Sequence, residues 1–164
     1  MQTRIPARSG NILVLSACLI ASCAREVEMR APADATKRVL FVCIENSNRS
    51  QMAEAFARRL GQGKVEAYSA GSRPSGRVNP RAVELMREIG YDLSTYQSKG
   101  LEALPEVEFD AVITMGCGDE CPVIRARRRE DWAIPDPKDL PPDEFRKVRD
   151  LIQRKVQELL ESLQ

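Results

Sequence analysis

Apolar runs of strand length alternate with stretches of helical spacing along residues 37–164. Val39-Leu40-Phe41-Val42 is unbroken, the pattern of a strand buried on both faces of a parallel sheet, and it stops at Cys43. From Ser50 the text becomes QMAEAFARRL, strong helix formers with Met52, Ala53, Phe56 and Leu60 on one side, closed by Gly61-Gln62-Gly63. Val65 to Ala70 reads as a second strand that leads into a turn at Gly71 to Gly76. Asn79 caps and Pro80 opens a helix that runs to about Ile89 and ends at Gly90, with Ala82, Val83, Met86 and Ile89 facing one way. Leu93 to Leu104 is mixed, with room for a short helix before Pro105. Phe109 to Met115, rich in β-branched residues, is a third strand, and Trp132 to Ile134 a fourth, at the edge. Pro142 to Leu163 is a long amphipathic helix with Phe145, Val148, Leu151, Ile152, Leu159 and Leu160 inside.

This alternation predicts an α/β fold: a three-layer sandwich with a four-stranded parallel sheet flanked by helices. In such folds the ligand sits at the carboxyl ends of the strands. Cys43 lies at one such end. Between it and the helix run Ile44, Glu45, Asn46, Ser47, Asn48 and Arg49, a tight loop entering a helix N-terminus. N–H groups there lack intrahelical acceptors, and the helix dipole places partial positive charge among them. Arg49 adds a planar fork that can hold two oxygens of a phosphate-like group. The same field favours a thiolate at Cys43. Ser50, one residue on, is placed to donate to the sulfur and to cap the helix. A buried core cysteine is the blander reading of Cys-x5-Arg-Ser taken alone. Strand before and helix after turn it into a nucleophile beside an oxyanion cradle made by residues 44–49.

Composition narrows the chemistry. The 164 residues suffice for one domain with a proper core, and 25 basic against 24 acidic residues leave +1, giving no reason to expect a nucleic-acid partner. The chain has no histidine, which excludes a Cys–His pair and any His-ligated metal. Its five cysteines, Cys18, Cys23, Cys43, Cys117 and Cys121, are too odd in number and spacing for a secreted disulfide framework and suit a reducing compartment. Cys117 and Cys121 follow the third strand at another carboxyl end, four apart, so a helical turn would bring them within disulfide reach. Redox work, half a zinc site and two structural thiols are the readings of that pair. Zinc lacks a second pair to complete it. Arg125, Arg127, Arg128 and Arg129 read as a solvated face rather than a binding patch.

VCIENSNRSQMAEAFAR resembles the active-site loop of the low-molecular-weight tyrosine phosphatase superfamily, in particular its arsenate reductase branch. The similarity continues through Ser69-Ala70-Gly71, NPRAVELMREIGYDLS, VITMGCGDECP and DWAIPDP, and so covers residues 37–164. The resemblance implies thiol-dependent reduction of arsenate to arsenite. Cys43 is then the nucleophile, Arg49 and Ser50 its partners, and Asp136 before Pro137 the general acid. Cys117 would attack the Cys43 sulfur and Cys121 would resolve the disulfide. No cofactor is bound; an external thiol (thioredoxin, glutaredoxin with glutathione, or mycothiol) supplies electrons. Asn48 stands where thioredoxin-coupled relatives often carry cysteine, and MGCGDECP looks more like relatives using a small thiol or glutaredoxin. Some relatives hold potassium through residues matching Asn46, Glu54 and Ser69. Phosphotyrosine hydrolysis through a phosphocysteine is the alternative activity, needing only Cys43, Arg49, Ser50 and Asp136. Tyr91, Tyr96 and Trp132 are the aromatic candidates to grip such a substrate.

Residues 1–36 look foreign to this domain. Ile12 to Ser22 has the length of a signal h-region after Arg4 and Arg8, and Ile20-Ala21-Ser22-Cys23 resembles a lipoprotein lipobox. One reading is export and lipid anchoring at Cys23, the only route to a membrane, compatible with a non-turnover oxyanion-binding or redox-sensing protein. The other is a misassigned start, with Met29 opening a cytoplasmic enzyme, the location that a thiol cycle prefers.

Overall fold

The structure, a computed structural model, describes residues 36–116 and 124–163. It contains a four-stranded, all-parallel sheet of β1 (Lys37–Cys43), β2 (Val65–Gly71), β3 (Phe109–Thr114) and β4 (Ala126–Asp131) in the order β2-β1-β3-β4. The helices are α1 (Arg49–Leu60), α2 (Pro80–Arg87) and α3 (Pro142–Ser162), with a 3-10 turn at Leu101–Ala103. This is the expected parallel α/β sandwich. Strand order reverses at β1, so the crevice between β1 and β3 is the switch point at which such sheets bind ligands. Cys43 ends β1 there.

The two sides of the sheet are covered unequally. Val39, Phe41 and Ile113 point into a large core shared with Met52 and Phe56 of α1, Met86 of α2, and Phe145, Ile152 and Leu159 of α3. Leu40, Val42, Ala70, Phe109 and Val112 face the other way, under Leu101, Leu104, Val107 and Ile124. Helix α1 is buried over its first nine residues, Arg49 to Ala57, with alanines at 53, 55 and 57 interleaved among the larger Met52, Glu54 and Phe56.

The edge strand lies elsewhere than its hydrophobicity suggested. Trp132 to Ile134 is irregular, and β4 is instead the charged run Ala126–Asp131, pairing with β3 from Phe109↔Ala126 to Thr114↔Asp131. Its burial alternates, half-buried then exposed, so the arginines of the run straddle two faces. Arg128 reaches Ser162 on α3 at 2.6 Å, while Arg127 pairs with Asp110 at 3.5 Å and Glu108 at 3.6 Å. Long stems cover the sheet and charged heads guard an unpaired edge. Helix α2 stops at Arg87, with Glu88 to Gly90 forming the turn that leaves it.

Candidate active site

The loop after β1 is held from outside by its own carbonyls. The backbone N–H of Ser72 donates to Cys43 O (3.2 Å), Arg73 N–H to Ile44 O (2.8 Å), Ser75 N–H to Glu45 O (3.0 Å) and Asn79 N–H to Ser47 O (3.0 Å), while Gln51 Nε2 donates to Asn46 O (3.1 Å). In a planar trans peptide the N–H points opposite the C=O. The amides of Ile44, Glu45, Asn46, Ser47 and Asn48 therefore turn to the inner side. One of them reports the direction: Asn46 N–H lies 3.2 Å from Cys43 Sγ. The turn closes because Asn46 adopts a left-handed φ of 49°, which asparagine tolerates better than most residues. Gly71, opposite Cys43 in the β1–β2 register, is equally constrained: a Cβ there would stand 2.6 Å from Ile44 O.

Cys43 is buried, and its sulfur lies 3.0 Å from Ser50 Oγ. Ser50 does not cap α1: no side chain caps that helix. Its hydroxyl is occupied between the sulfur and Asn46 Nδ2, 2.8 Å away, because Ser50 already lies inside the first turn. Arg49 is also buried. Its Nη1 donates to Met115 O (2.6 Å) and Ile134 O (3.0 Å), and its Nη2 meets Asp136 Oδ2 at 2.8 Å. One guanidinium thus ties the end of β3 and the segment before Pro137 to the loop. That segment meets the loop at alternate residues, as extended chain does: Ile134 and Asp136 through Arg49, and Lys138 Nζ on Glu45 Oε1 at 2.6 Å. The Lys138 ammonium holds the Glu45 carboxyl below the usual range, against a smaller opposing effect of burial.

Asn46, Glu54 and Ser69 come together behind the loop, all buried. Asn46 Nδ2 donates to Ser69 Oγ (2.9 Å), and Ser69 in turn donates to Glu54 Oε2. Two cations meet that carboxylate, Arg58 from one helical turn on and Lys99 Nζ, 3.2 Å from Oε2. Lys99 and Gln51 were not singled out in the sequence: Lys99 lies outside every quoted motif, and Gln51, inside the loop motif, reads there as a helix former. Cys117, Cys121 and Cys23 lie outside the described residues. The strand leading to Cys117 is placed, since Met115 N–H donates to Val42 O at 2.9 Å beside Cys43. Gly116 N–H is held at 3.0 Å by Asp131 Oδ1.

The aromatic candidates serve the core. Trp132 is buried against Phe41 with its Nε1–H on Glu130, Tyr91 packs edge-on to Phe56 under Arg59, and Tyr96 lies beneath Arg58.

Residues 38–164 match the family model of low molecular weight phosphotyrosine protein phosphatase. A glutaredoxin arsenate reductase of Synechocystis sp. is 40% identical over 127 residues, covering 76% of this chain and 96% of that protein. Arsenate reductase 1 of Staphylococcus haemolyticus is 35% identical over 130 residues, 77% of this chain and 97% of its own. Among solved structures, an arsenate reductase in the phosphate binding state superposes with a TM-score of 0.72 at 38% identity, over 78% of this chain and 99% of that one. The thioredoxin-dependent arsenate reductase of Corynebacterium glutamicum gives 0.63 at 32% identity, over 80% and 63%.

Proposed function

The chain belongs to the low molecular weight phosphotyrosine protein phosphatase family, and from that premise we propose that it reduces arsenate to arsenite at the expense of thiols, with Cys43 as nucleophile. The observation that carries this reading is the Cys43 sulfur beneath five inward-turned amides, beside a buried arginine. Such a cradle takes a tetrahedral oxyanion and stabilises charge that develops on its equatorial oxygens.

Arsenate enters and competes for Arg49. That guanidinium is paired with Asp136; an oxyanion that takes up Arg49 frees the Asp136 carboxyl to carry a proton to the departing oxygen. Cys43 sulfur attacks arsenic, the As–O bond breaks, and water leaves. A second thiol then attacks Cys43 sulfur. The S–As bond breaks with its electron pair going to arsenic, which falls from As(V) to As(III), while two sulfurs each lose one electron to form a disulfide. We assign that second thiol to Cys117, two residues beyond the Met115 carbonyl held by Arg49, and its resolution to Cys121. Glutaredoxin and thioredoxin in the relatives' names support a redoxin as the external reductant, and a reducing compartment, the cytoplasm, as the place of work. No helix among the described residues is long and apolar enough to cross a membrane. Phosphatase action is less well supported, because Tyr91 and Trp132 are committed to the core.

The test is arsenite production by the purified chain with thioredoxin, glutaredoxin plus glutathione, and mycothiol in parallel. Cys43→Ser is expected to abolish turnover with every reductant, and Cys117→Ser to abolish it with at least one. Unchanged turnover in Cys43→Ser removes the reading; unchanged turnover in Cys117→Ser with all three removes the internal relay.

A further inference from the structure

The hydrogen-bond directions behind the loop can be worked out from atoms that have only one role. The backbone N–H of Lys99 can only donate, and it meets Asn46 Oδ1 at 2.8 Å, so the other branch of that amide, facing Ser50 and Ser69, is the NH2. Its two hydrogens go to Ser50 Oγ (2.8 Å) and Ser69 Oγ (2.9 Å). Ser50 therefore accepts from Asn46 and keeps its own proton free for Cys43 Sγ, which as a thiolate can only accept. On the other branch Ser69 accepts from Asn46 and donates to Glu54, whose carboxylate lies between two cations. A buried carboxylate in this position would repel a sulfur anion unless it were neutralised. Two cations face it, Arg58 at Oε1 (2.5 Å) and Lys99 Nζ at Oε2 (3.2 Å), the latter also 3.4 Å from Ser69 Oγ. Two further charge pairs border the loop, Arg49 with Asp136 and Glu45 with Lys138. Arg58 is half exposed, so solvent weakens its hold. Lys99 is the better screened of the two. Its ammonium stands against Glu54 and Ser69, where a bound monovalent cation would have to sit, so these donors do not fit a metal ion together with Lys99.

We propose that Lys99 is a positioning residue: its side chain is the resident counter-cation behind the oxyanion loop. It balances Glu54 so that the Glu54–Ser69–Asn46–Ser50 chain ends in a proton donated to Cys43. The proposal rests on Cys43 as the reactive thiol. Loss of Lys99 leaves the Glu54 carboxylate short of a counter-cation, and that negative charge behind the loop disfavours the sulfur anion.

The experiment is the pH profile of Cys43 alkylation by iodoacetamide in the full chain, read by mass spectrometry on the peptide that carries Cys43, without arsenate. Lys99→Met, at a position one third exposed, is expected to move the profile to higher pH by about one unit, a roughly tenfold slower reaction at neutral pH. Glu54→Gln is expected to move it the opposite way, because Lys99 is then unbalanced. The double variant should return close to wild type, and Lys99→Arg should stay there. Generalised loosening of the fold would move both single variants in one direction. That result, or superimposable profiles for Lys99→Met and wild type, overturns the proposal. If Cys43 is sluggish even in the wild type, it is the assignment of the nucleophile that fails, so the two failures are distinguishable.

Discussion

At the scale of single residues, the site depends on a glycine as much as on the cysteine. Gly71 leaves room for the carbonyl of Ile44, and any Cβ would collide with backbone rather than with a yielding side chain. Gly71→Ala is expected to lower stability by about 1–3 kcal/mol, the usual cost of forced overpacking, and to weaken phosphate binding because the loop must shift. Urea midpoints and phosphate calorimetry on the same sample check both; an unaltered affinity would show that the loop adapts freely. Arg49 illustrates a second lesson. Its position at the start of α1 marked it as an anion ligand, yet its Nη1 is spent on structure, donating to Met115 O and Ile134 O. No sequence pattern reveals a side chain whose partners are carbonyls 66 and 85 residues away.

At the scale of elements, strands with unbroken apolar runs and helices with clear caps were readable because both faces or one face of each is buried by the same core. β1, α1, β2 and β3 were found where expected, and the cap at Asn79 is real, its Oδ1 accepting from Arg81 N–H at 2.9 Å. β4 was not readable. An edge strand needs only one row of partners, and here it covers the sheet with arginine stems, so the usual apolar signature is absent and Trp132 to Ile134 competes for the assignment. The Cys43–Arg49 loop was legible for the converse reason: a thiol, small polar residues and an arginine in tight spacing serve no core. Lys99 escaped because its role comes from where an irregular segment passes. The segment around Asp136 is strapped to the loop by Glu45–Lys138 as well as by Arg49. Because the Glu45 carboxyl is held below its ordinary range, the strap's contribution is complete above that range and is lost as pH falls through the lowered value. Glu45→Gln should therefore narrow the gap between thermal midpoints measured at pH 7 and pH 3; an identical gap in both proteins would refute the strap.

For the whole molecule, the unequal cover of the sheet sets where it opens. Among the described residues, three helices lie over one face, while a 3-10 turn and scattered side chains cover the other, and stability is lowest where apolar contact is least. Amides of β4 and of Leu101–Ala103 are expected to exchange with deuterium well before those of β1 and α1; uniform protection across the sheet would contradict this. The inward-turned peptide bonds of the loop have a further consequence for life in a cell. A mould of main-chain dipoles senses four-cornered shape and negative charge, which phosphate and arsenate share almost equally. Abundant phosphate is then a tenant that the pocket cannot refuse. Selectivity falls to the step after occupancy, since a thiol can draw oxygen from arsenic and hand it electrons while phosphorus keeps its oxidation state and simply departs.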